Sequence, residues 1–325
     1  MVRDTVPKRV VFMGTAEFAV PSLNALVGAG YEVALVVTQA ARPSGRGRRV
    51  TQPPVARAAA ALELPLFQPD RIRRPDAVEA VRNAAPNIIV VAAYGQILPR
   101  SILAIPERGC INVHASLLPR HRGASPISAA ILAGDPETGV TIMLMDEGMD
   151  TGPILAQTAV PIDDRDDQAS LTRKLADVGA ELLIEWLPRW SAGQITPQAQ
   201  DPSRATLTRP IERSDGRLDW SQPAVDLWRR IRAYAQWPQG HTWWDGKLMR
   251  IASADYDPDP YVDPGLVVPW GPARRIPTMA AIGTGRGVLL PKTIVLEGRR
   301  PMGIDVFIQG HPTFIGSRLR TDSSE

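Results

Sequence analysis

The chain contains one cysteine, Cys110, and only four histidines. A lone thiol excludes an internal disulfide and suits a reducing compartment. So few histidines, with no ligand-like spacing among them, give no reason to expect a metal. No apolar run approaches the roughly 20 residues of a membrane-spanning helix, so no membrane association is expected. The amino-terminal MVRDTVPKRVVFMG is charged and passes directly into a strand, without the pattern of a secretory signal. The expected compartment is the cytoplasm. The dinucleotide fingerprint is also missing. After the first strand the turn reads GTAEF, with one glycine where G-x-G-x-x-G would stand, which argues against a nicotinamide cofactor.

What is present is an ordinary globular composition, 44% hydrophobic and 22% charged, over 325 residues. That length is comfortable for two domains. The net charge of +3 is modest, but the positive charge is nearly all arginine and is concentrated in RPSGRGRR, Arg42 to Arg49, and in the carboxy-terminal third. Arginine's planar fork suits phosphate and carboxylate.

Short apolar strands alternate with helical segments through the first half. Arg9–Met13, Tyr31–Thr38, Leu64–Phe67, Asn87–Ala93, Ile111 onward and Val140 onward read as strands. Glu17–Val27, Val55–Leu62, Ala77–Ala84 and Ile127–Leu132 read as the helices between them. This alternation predicts an α/β fold with an open, mostly parallel, Rossmann-like sheet covered on both faces. Leu171–Leu187 follows as an amphipathic helix, with apolar residues recurring at three and four. Beyond it the texture changes. Trp190–Thr206 loses periodicity, Val225–Tyr234 reads as one basic helix with Arg229, Arg230 and Arg232 exposed on a wet face, and six short strands follow: 241–244, 248–252, 265–268, 279–283, 287–290 and 293–296. Strands this short and closely spaced predict a smaller β-barrel, OB-like in kind. The expected division is therefore 1–190, a linker at 191–206, and a carboxy-terminal barrel domain at 207–325.

Two stretches carry candidate chemistry. In GCINVHASLLPRHRG, Gly109 to Gly123, a buried strand alternates with polar Asn112 and His114. Residues two apart in a strand share a face, so the amide and the imidazole are presented together before a basic, proline-containing loop. The structural alternative is a turn-closing Asn112 and a satisfied histidine at a strand end. In MDEGMDTG, Met145 to Gly152, a strand ends in Asp146, Glu147 and Asp150. A solvated acidic turn is the simpler reading of that stretch alone. Together, however, a carboxylate after one strand and a histidine after its neighbour can meet at the carboxyl edge of a sheet. A third stretch, Thr38 to Pro54, is a long connection for a tight α/β pattern, with four arginines and no acid between Arg42 and Arg49. It reads as a flexible cationic arm, either merely solvated or contacting phosphate.

The ordered strings FMGTAEFAVPSL, TQAARPSGRGRR, AAYGQILP, GCINVHASLLPRHRGASPI, GVTIMLMDEGMDTG, GRLDWSQPA, IRAYAQWP and RRPMGIDVFIQG span most of the chain. In content and spacing they resemble the methionyl-tRNA formyltransferase family. The resemblance implies formyl transfer from 10-formyltetrahydrofolate, as co-substrate and without a metal, to the α-amino group of methionine on initiator methionyl-tRNA. It implies a catalytic trio of Asn112, His114 and Asp150. It further implies a folate contact along Ser116, Leu117, Leu118 and Pro119, a pterin wall at 92–99, and a tRNA-contacting arm carrying Arg42, Arg46, Arg48 and Arg49. His121 stands where the family commonly has an aromatic, and Ser125 where it has alanine. In the carboxy-terminal domain, YAQWPQG lacks an expected asparagine-proline pair. The competing readings are a sugar-nucleotide N-formyltransferase, a formyltetrahydrofolate hydrolase-like enzyme, and a non-catalytic RNA-binding protein on the same scaffold. Nothing in the sequence demands more than a monomer.

Overall fold

The computed structural model describes residues 8–44, 49–272 and 277–322, the side chains of 42–44, 49 and 50 excepted. The chain forms two compact units. The first comprises the chain to Pro126, Pro136–Ile162 and Leu171–Arg209; the second comprises Ile127–Asp135, Asp163–Ser170 and the chain from Pro210.

The first unit is organised around a seven-stranded sheet. The helices and strands as far as Arg209, in chain order, are β1 (Arg9–Gly14), α1 (Val20–Gly28), β2 (Glu32–Val37), a hairpin of β3 (Arg42–Ser44) and β4 (Arg49–Thr51), α2 (Pro54–Ala61), β5 (Leu66–Phe67), α3 (Pro75–Asn83), β6 (Ile88–Ala92), α4 (Arg100–Leu103), β7 (Cys110–His114), β8 (Arg122–Gly123), α5 (Pro126–Ala133), β9 (Glu137–Leu144), β10 (Ile154–Pro161), α6 (Gln168–Ser191) and β11 (Leu207–Thr208). The order across the sheet is β10-β9-β7-β6-β1-β2-β5. From β5 to β7 the strands run parallel, while β9 and β10 close the edge antiparallel. The chain first winds outward from β1 through β2 to β5, then crosses back to place β6 on the other side of β1. The carboxyl ends of β1, β6 and β7 therefore border the place where the winding reverses, the usual location of a binding crevice in such sheets.

Alternation in the strands accounts for the layers. Val11, Met13, Ile89, Val91 and Cys110 share one buried cluster with Val78 and Val81 of α3 and Ile102 of α4. Parity then puts Asn112 and His114 on the same face as Cys110. On β7 every side chain is buried. Val113, of opposite parity, meets α6 at Gly179, where an added Cβ would lie 2.9 Å from a Val113 methyl.

The long arginine-rich connection is not wholly irregular. Arg42 pairs with Thr51, Pro43 with Val50 and Ser44 with Arg49 as a short hairpin, and Arg46 and Arg48 lie outside the described residues. The segment 191–206 runs back along the first unit. There Gln198 exchanges backbone hydrogen bonds with Ile154, and β11 pairs in parallel with β8.

The second unit is built on antiparallel strands β12 (Gly240–Trp244), β13 (Lys247–Asp257), β14 (Val267–Trp270), β15 (Met279–Gly283) and β16 (Val288–Leu296), with β17 (Met302–Gly303) on β16. The sheet curls into a half-barrel around Met249, Ile251, Ile282, Leu289, Ile294 and the aromatic group of Trp244, Phe307 and Phe314. Two helices, α7 (Ala224–Ala233) and α8 (Ile304–Gly310), contribute to this core. The outer strands do not end on solvent. Residues 316–320 bond to 265–267 on one side and to Trp243 on the other, giving both edges a partner.

Two expectations need correction here. The strands expected at 287–290 and 293–296 are one strand, β16; its register against β13 shifts beside Pro291, which faces Ala254, so the interruption in the pattern is a bulge and not a turn. The arginines of α7 are not a wetted face. Arg232 donates to the carbonyls of Asp166 (2.7 Å) and Asp163 (2.6 Å) and lies 4.1 Å over the Trp228 ring. Arg230 donates to Asp215 O (2.8 Å), and Arg229 lies 3.6 Å from Asp226. Burial lowers the pKa of Arg232. Its role is to fasten the 163–166 turn. Among the described residues no helix is long and apolar enough to cross a membrane.

Cys110 is 1% exposed, and burial pushes its thiol up to about 12. Since the unfolded thiol ionises first as pH rises, this burial weakens the fold only on the alkaline side. The native protein should resist a thiol-reactive disulfide reagent at about pH 8 and release one equivalent of thiol on denaturation. Rapid reaction in native buffer would contradict the buried position.

Candidate active site

Three side chains that are distant in the sequence converge at the carboxyl end of β7. Asn112 Nδ2 lies 3.4 Å from Asp150 Oδ1, and His114 Nδ1 lies 3.6 Å from Asp150 Oδ2. On the other side of the ring, His114 Nε2 is 3.1 Å from the carbonyl of His121. A carbonyl only accepts, so Nε2 carries the proton in that contact, which fixes the ring plane and leaves Nδ1 facing the carboxylate. Asn112 and His114 are 9% and 6% exposed, a placement that excludes bulk water without sealing the site.

Asp150 sits in the left-handed region, φ 53°. A non-glycine residue there costs about 1–2 kcal/mol, so the conformation must be imposed by its surroundings. Gly123 N–H donates to Asp150 Oδ2 at 2.8 Å, a bond to a charged acceptor. Gln200 Nε2 donates to the backbone carbonyls of Asp150 (2.8 Å) and Gly152 (2.7 Å). At about 1.5–3 kcal/mol for the charged bond alone, these contacts outweigh the backbone cost. Gln200 is itself held, because its Oε1 accepts from Arg122 Nε (3.0 Å) and Nη2 (2.8 Å). Arg122 is 8% exposed, so this pairing also satisfies a buried cation. Gly123 must be glycine: its φ is +106°, and a Cβ there would strike the carbonyl of Thr208.

The loop between His114 and Gly123 is similarly braced. Thr141 Oγ1 donates to Ser116 O (2.6 Å) and accepts from Leu118 N–H (3.1 Å), while Gln157 Nε2 donates to Leu118 O (2.8 Å). Ser116 Oγ donates to Arg120 O (2.6 Å), and Leu118 precedes a cis proline, Pro119. Of the four folate-contact candidates, Ser116 and Leu118 have buried side chains, whereas Leu117 and Pro119 retain accessible surface. Residues 92–99 cross the end of β6, tied down where Thr15 Oγ1 and Gln39 Nε2 both donate to Tyr94 O (2.8 and 2.9 Å). Burial raises the Tyr94 phenol to about 12 and leaves its hydroxyl without a partner among the described residues. Ile97 projects from the same loop 83% exposed. No group of three or more histidine, cysteine, aspartate or glutamate residues able to hold a metal occurs among the described residues.

Sequence reasoning missed Arg122 as a structural member, and it missed Gln200 and Thr206–Thr208 altogether. Thr206 Oγ1 accepts from His121 N–H (2.8 Å), and Thr208 Oγ1 accepts from Ser125 N–H (3.0 Å) and donates to Arg122 O (3.0 Å). Gln200 and Thr206 lie in a stretch that reads as a linker and Thr208 just beyond it, and no local pattern marks their return to the site.

A formyl transferase family model matches residues 8–187, and one for the formyl transferase carboxy-terminal domain matches 210–312. The chain is 45% identical to the methionyl-tRNA formyltransferase of Chloroflexus aggregans over 93% of this chain and 97% of that one. The chain belongs to the methionyl-tRNA formyltransferase family. Among solved structures it is similar to HypX from Aquifex aeolicus in complex with tetrahydrofolic acid, with TM-score 0.63 and 19% identity, covering 92% of this chain and 46% of that one. It is also similar to an N-formyltransferase from Helicobacter canadensis in complex with folinic acid and dTDP-3-aminofucose, with TM-score 0.61 and 15% identity, covering 87% and 98%. At those identities the two structures establish a shared fold.

In this methionyl-tRNA formyltransferase family member the Arg122–Gln200 pair grips the backbone at Asp150. Gln200→Ala should lower kcat by about tenfold or more, with the chain still folded by circular dichroism. A destabilised variant with unchanged kcat would make Gln200 purely structural.

Proposed function

We propose that the protein transfers the formyl group of 10-formyltetrahydrofolate to the α-amino group of methionine on initiator methionyl-tRNA, in the cytoplasm, as a step toward translation initiation. The amine nitrogen attacks the formyl carbon and forms a C–N bond. Electron density moves to the formyl oxygen, and the tetrahedral species collapses by breaking the bond to folate N10. The proton lost by the amine ends on N10, so the products are formylmethionyl-tRNA and tetrahydrofolate, and no covalent bond to the protein is needed.

Each member of the trio has a part in this scheme. Asn112 has one amide N–H directed at Asp150 and a second available for the developing oxyanion, where a fixed donor is most effective. His114, its Nε2–H held by His121 O, supplies a further donor to that oxygen through Nδ1–H of the imidazolium, which faces Asp150 at 3.6 Å without being hydrogen-bonded to it. Asp150, facing both, orients the imidazole and holds the water that carries the proton from amine to N10. The folate lies against Leu117 and Pro119, with Ser116 and Leu118 shaping the loop beneath, and Ile97 provides an apolar wall for the pterin. The arm carrying Arg42, Arg46, Arg48 and Arg49 reaches the tRNA, and the carboxy-terminal domain adds tRNA contacts.

The observation that carries this reading is the meeting of amide, imidazole and carboxylate at one strand end, in a chain whose kinship to methionyl-tRNA formyltransferases runs through both units. A sugar-nucleotide N-formyltransferase would share the chemistry but has no use for the arginine arm. Formyl transfer measured on charged initiator tRNA and on an amino-sugar nucleotide should proceed on the first alone; the reverse preference would overturn the assignment. In the same assay Asn112→Ala should lose about 10²-fold or more in turnover, and His114→Ala at least a comparable factor, in the ~10²–10⁴ range. Activity within threefold of wild type in either variant would remove that residue from the site.

Replacing Arg46 and Arg48 together should weaken tRNA binding and flatten its salt dependence by ~0.7–0.9 log units for each phosphate no longer neutralised. An unchanged slope in a filter-binding titration would leave the arm a solvated loop.

A further inference from the structure

The second unit contains a cavity of about 600 Å³ that the formyl-transfer chemistry does not use. Its floor is the β12–β13 hairpin, where His241 faces Arg250 and Trp243 faces Leu248 across the ladder. One wall is the turn carrying Arg213 and Arg217; the other is the 236–239 loop, which carries Trp237.

The lining has a definite chemical character. It includes three arginines and no carboxylate. Arg217 is ion-paired at 3.0 Å with Asp322, but Arg213 and Arg250 carry no ion pair among the described residues. The positive charges converge on His241, whose pKa is lowered first by burial and then by Arg213, Arg217 and Arg250, against a raising contribution from the carbonyl of Gln239. Trp237 is 54% exposed, an unusual placement for so large an apolar ring. Trp243 is half-buried and packs edge-on against His241 with ring centroids 5.5 Å apart. A bare anion would use the guanidinium groups and leave both indoles idle. An apolar ligand would desolvate the guanidinium groups without compensation. A ligand with a flat aromatic face joined to a phosphate satisfies both sets, because arginine forks match phosphate oxygens and indoles stack on nucleobases. The volume falls within the roughly 300–1,000 Å³ of small-molecule sites.

We propose that this cavity binds a nucleoside 5′-phosphate, its phosphate on Arg213 and Arg250 and its base against Trp237 and Trp243. The site rests on this unit's own residues and holds whichever acceptor the first unit serves. The same chemistry is offered by a free nucleotide and by one nucleotide of an RNA strand, and the test separates the two sources.

Isothermal titration calorimetry of the full chain with GMP, AMP, guanosine, inorganic phosphate and a single-stranded trinucleotide provides that test. A mononucleotide should bind saturably, with guanosine and inorganic phosphate each weaker by about tenfold or more. Arg213→Ala with Arg250→Ala should abolish the heat. Trp237→Ala, altering a side chain more than half exposed, should weaken binding by about tenfold and serves if the double variant misfolds. Trinucleotide binding without mononucleotide binding, lost in the same variants, makes the cavity one of the tRNA contacts already ascribed to this domain and overturns it as a nucleotide site. Equal binding of inorganic phosphate and GMP, or trinucleotide binding indifferent to these substitutions, overturns it, as does silence from every nucleotide probe.

Discussion

The site depends on one carboxylate whose backbone is held in an unfavourable conformation. Asp150 faces Asn112 and His114 from the left-handed region, where Gly123 binds its side chain and Gln200 its carbonyl. Each of those partners is secured in turn. Gly123 belongs to the short β8–β11 ladder, and Gln200 is clamped by a buried arginine. A flexible acidic turn would have presented Asp150 in many orientations. This one presents a single orientation, the preorganisation that the proposed formyl transfer requires.

Much of this was legible in the chain itself, and the reason is periodicity. The two-residue repeat of β7 places Cys110, Asn112 and His114 on one face whatever the rest of the fold does. The alternation of strand and helix likewise predicts the sheet. Tertiary events without a local signature were not legible. Gln200 and Thr206 sit in a segment lacking periodicity, and their value lies in partners some eighty residues away. Pro291 looked like a break between strands because proline usually is one, yet a register shift absorbs it within β16. On α7 the arginine spacing was visible, but carbonyl groups brought in from 163–166 turned a wet face into a fastening.

The two units treat arginine differently. Arg122 and Arg232 are structural, each directing its donors at protein oxygens. Arg213 and Arg250 line the cavity of the second unit and carry no ion pair among the described residues. Counting cations in the sequence cannot separate these uses, since the same side chain performs both. The partner atoms decide.

The closing strand pair of the first unit has a practical consequence for anyone dissecting the molecule. The amino-terminal family match ends at residue 187, which invites a fragment cut just past α6. Such a fragment would keep Asn112, His114 and Asp150 yet forfeit Gln200, Thr206 and β11. It would strand the guanidinium of Arg122 and unpair β8. A piece that keeps these supports extends at least through Arg209, beyond the edge of the amino-terminal family match.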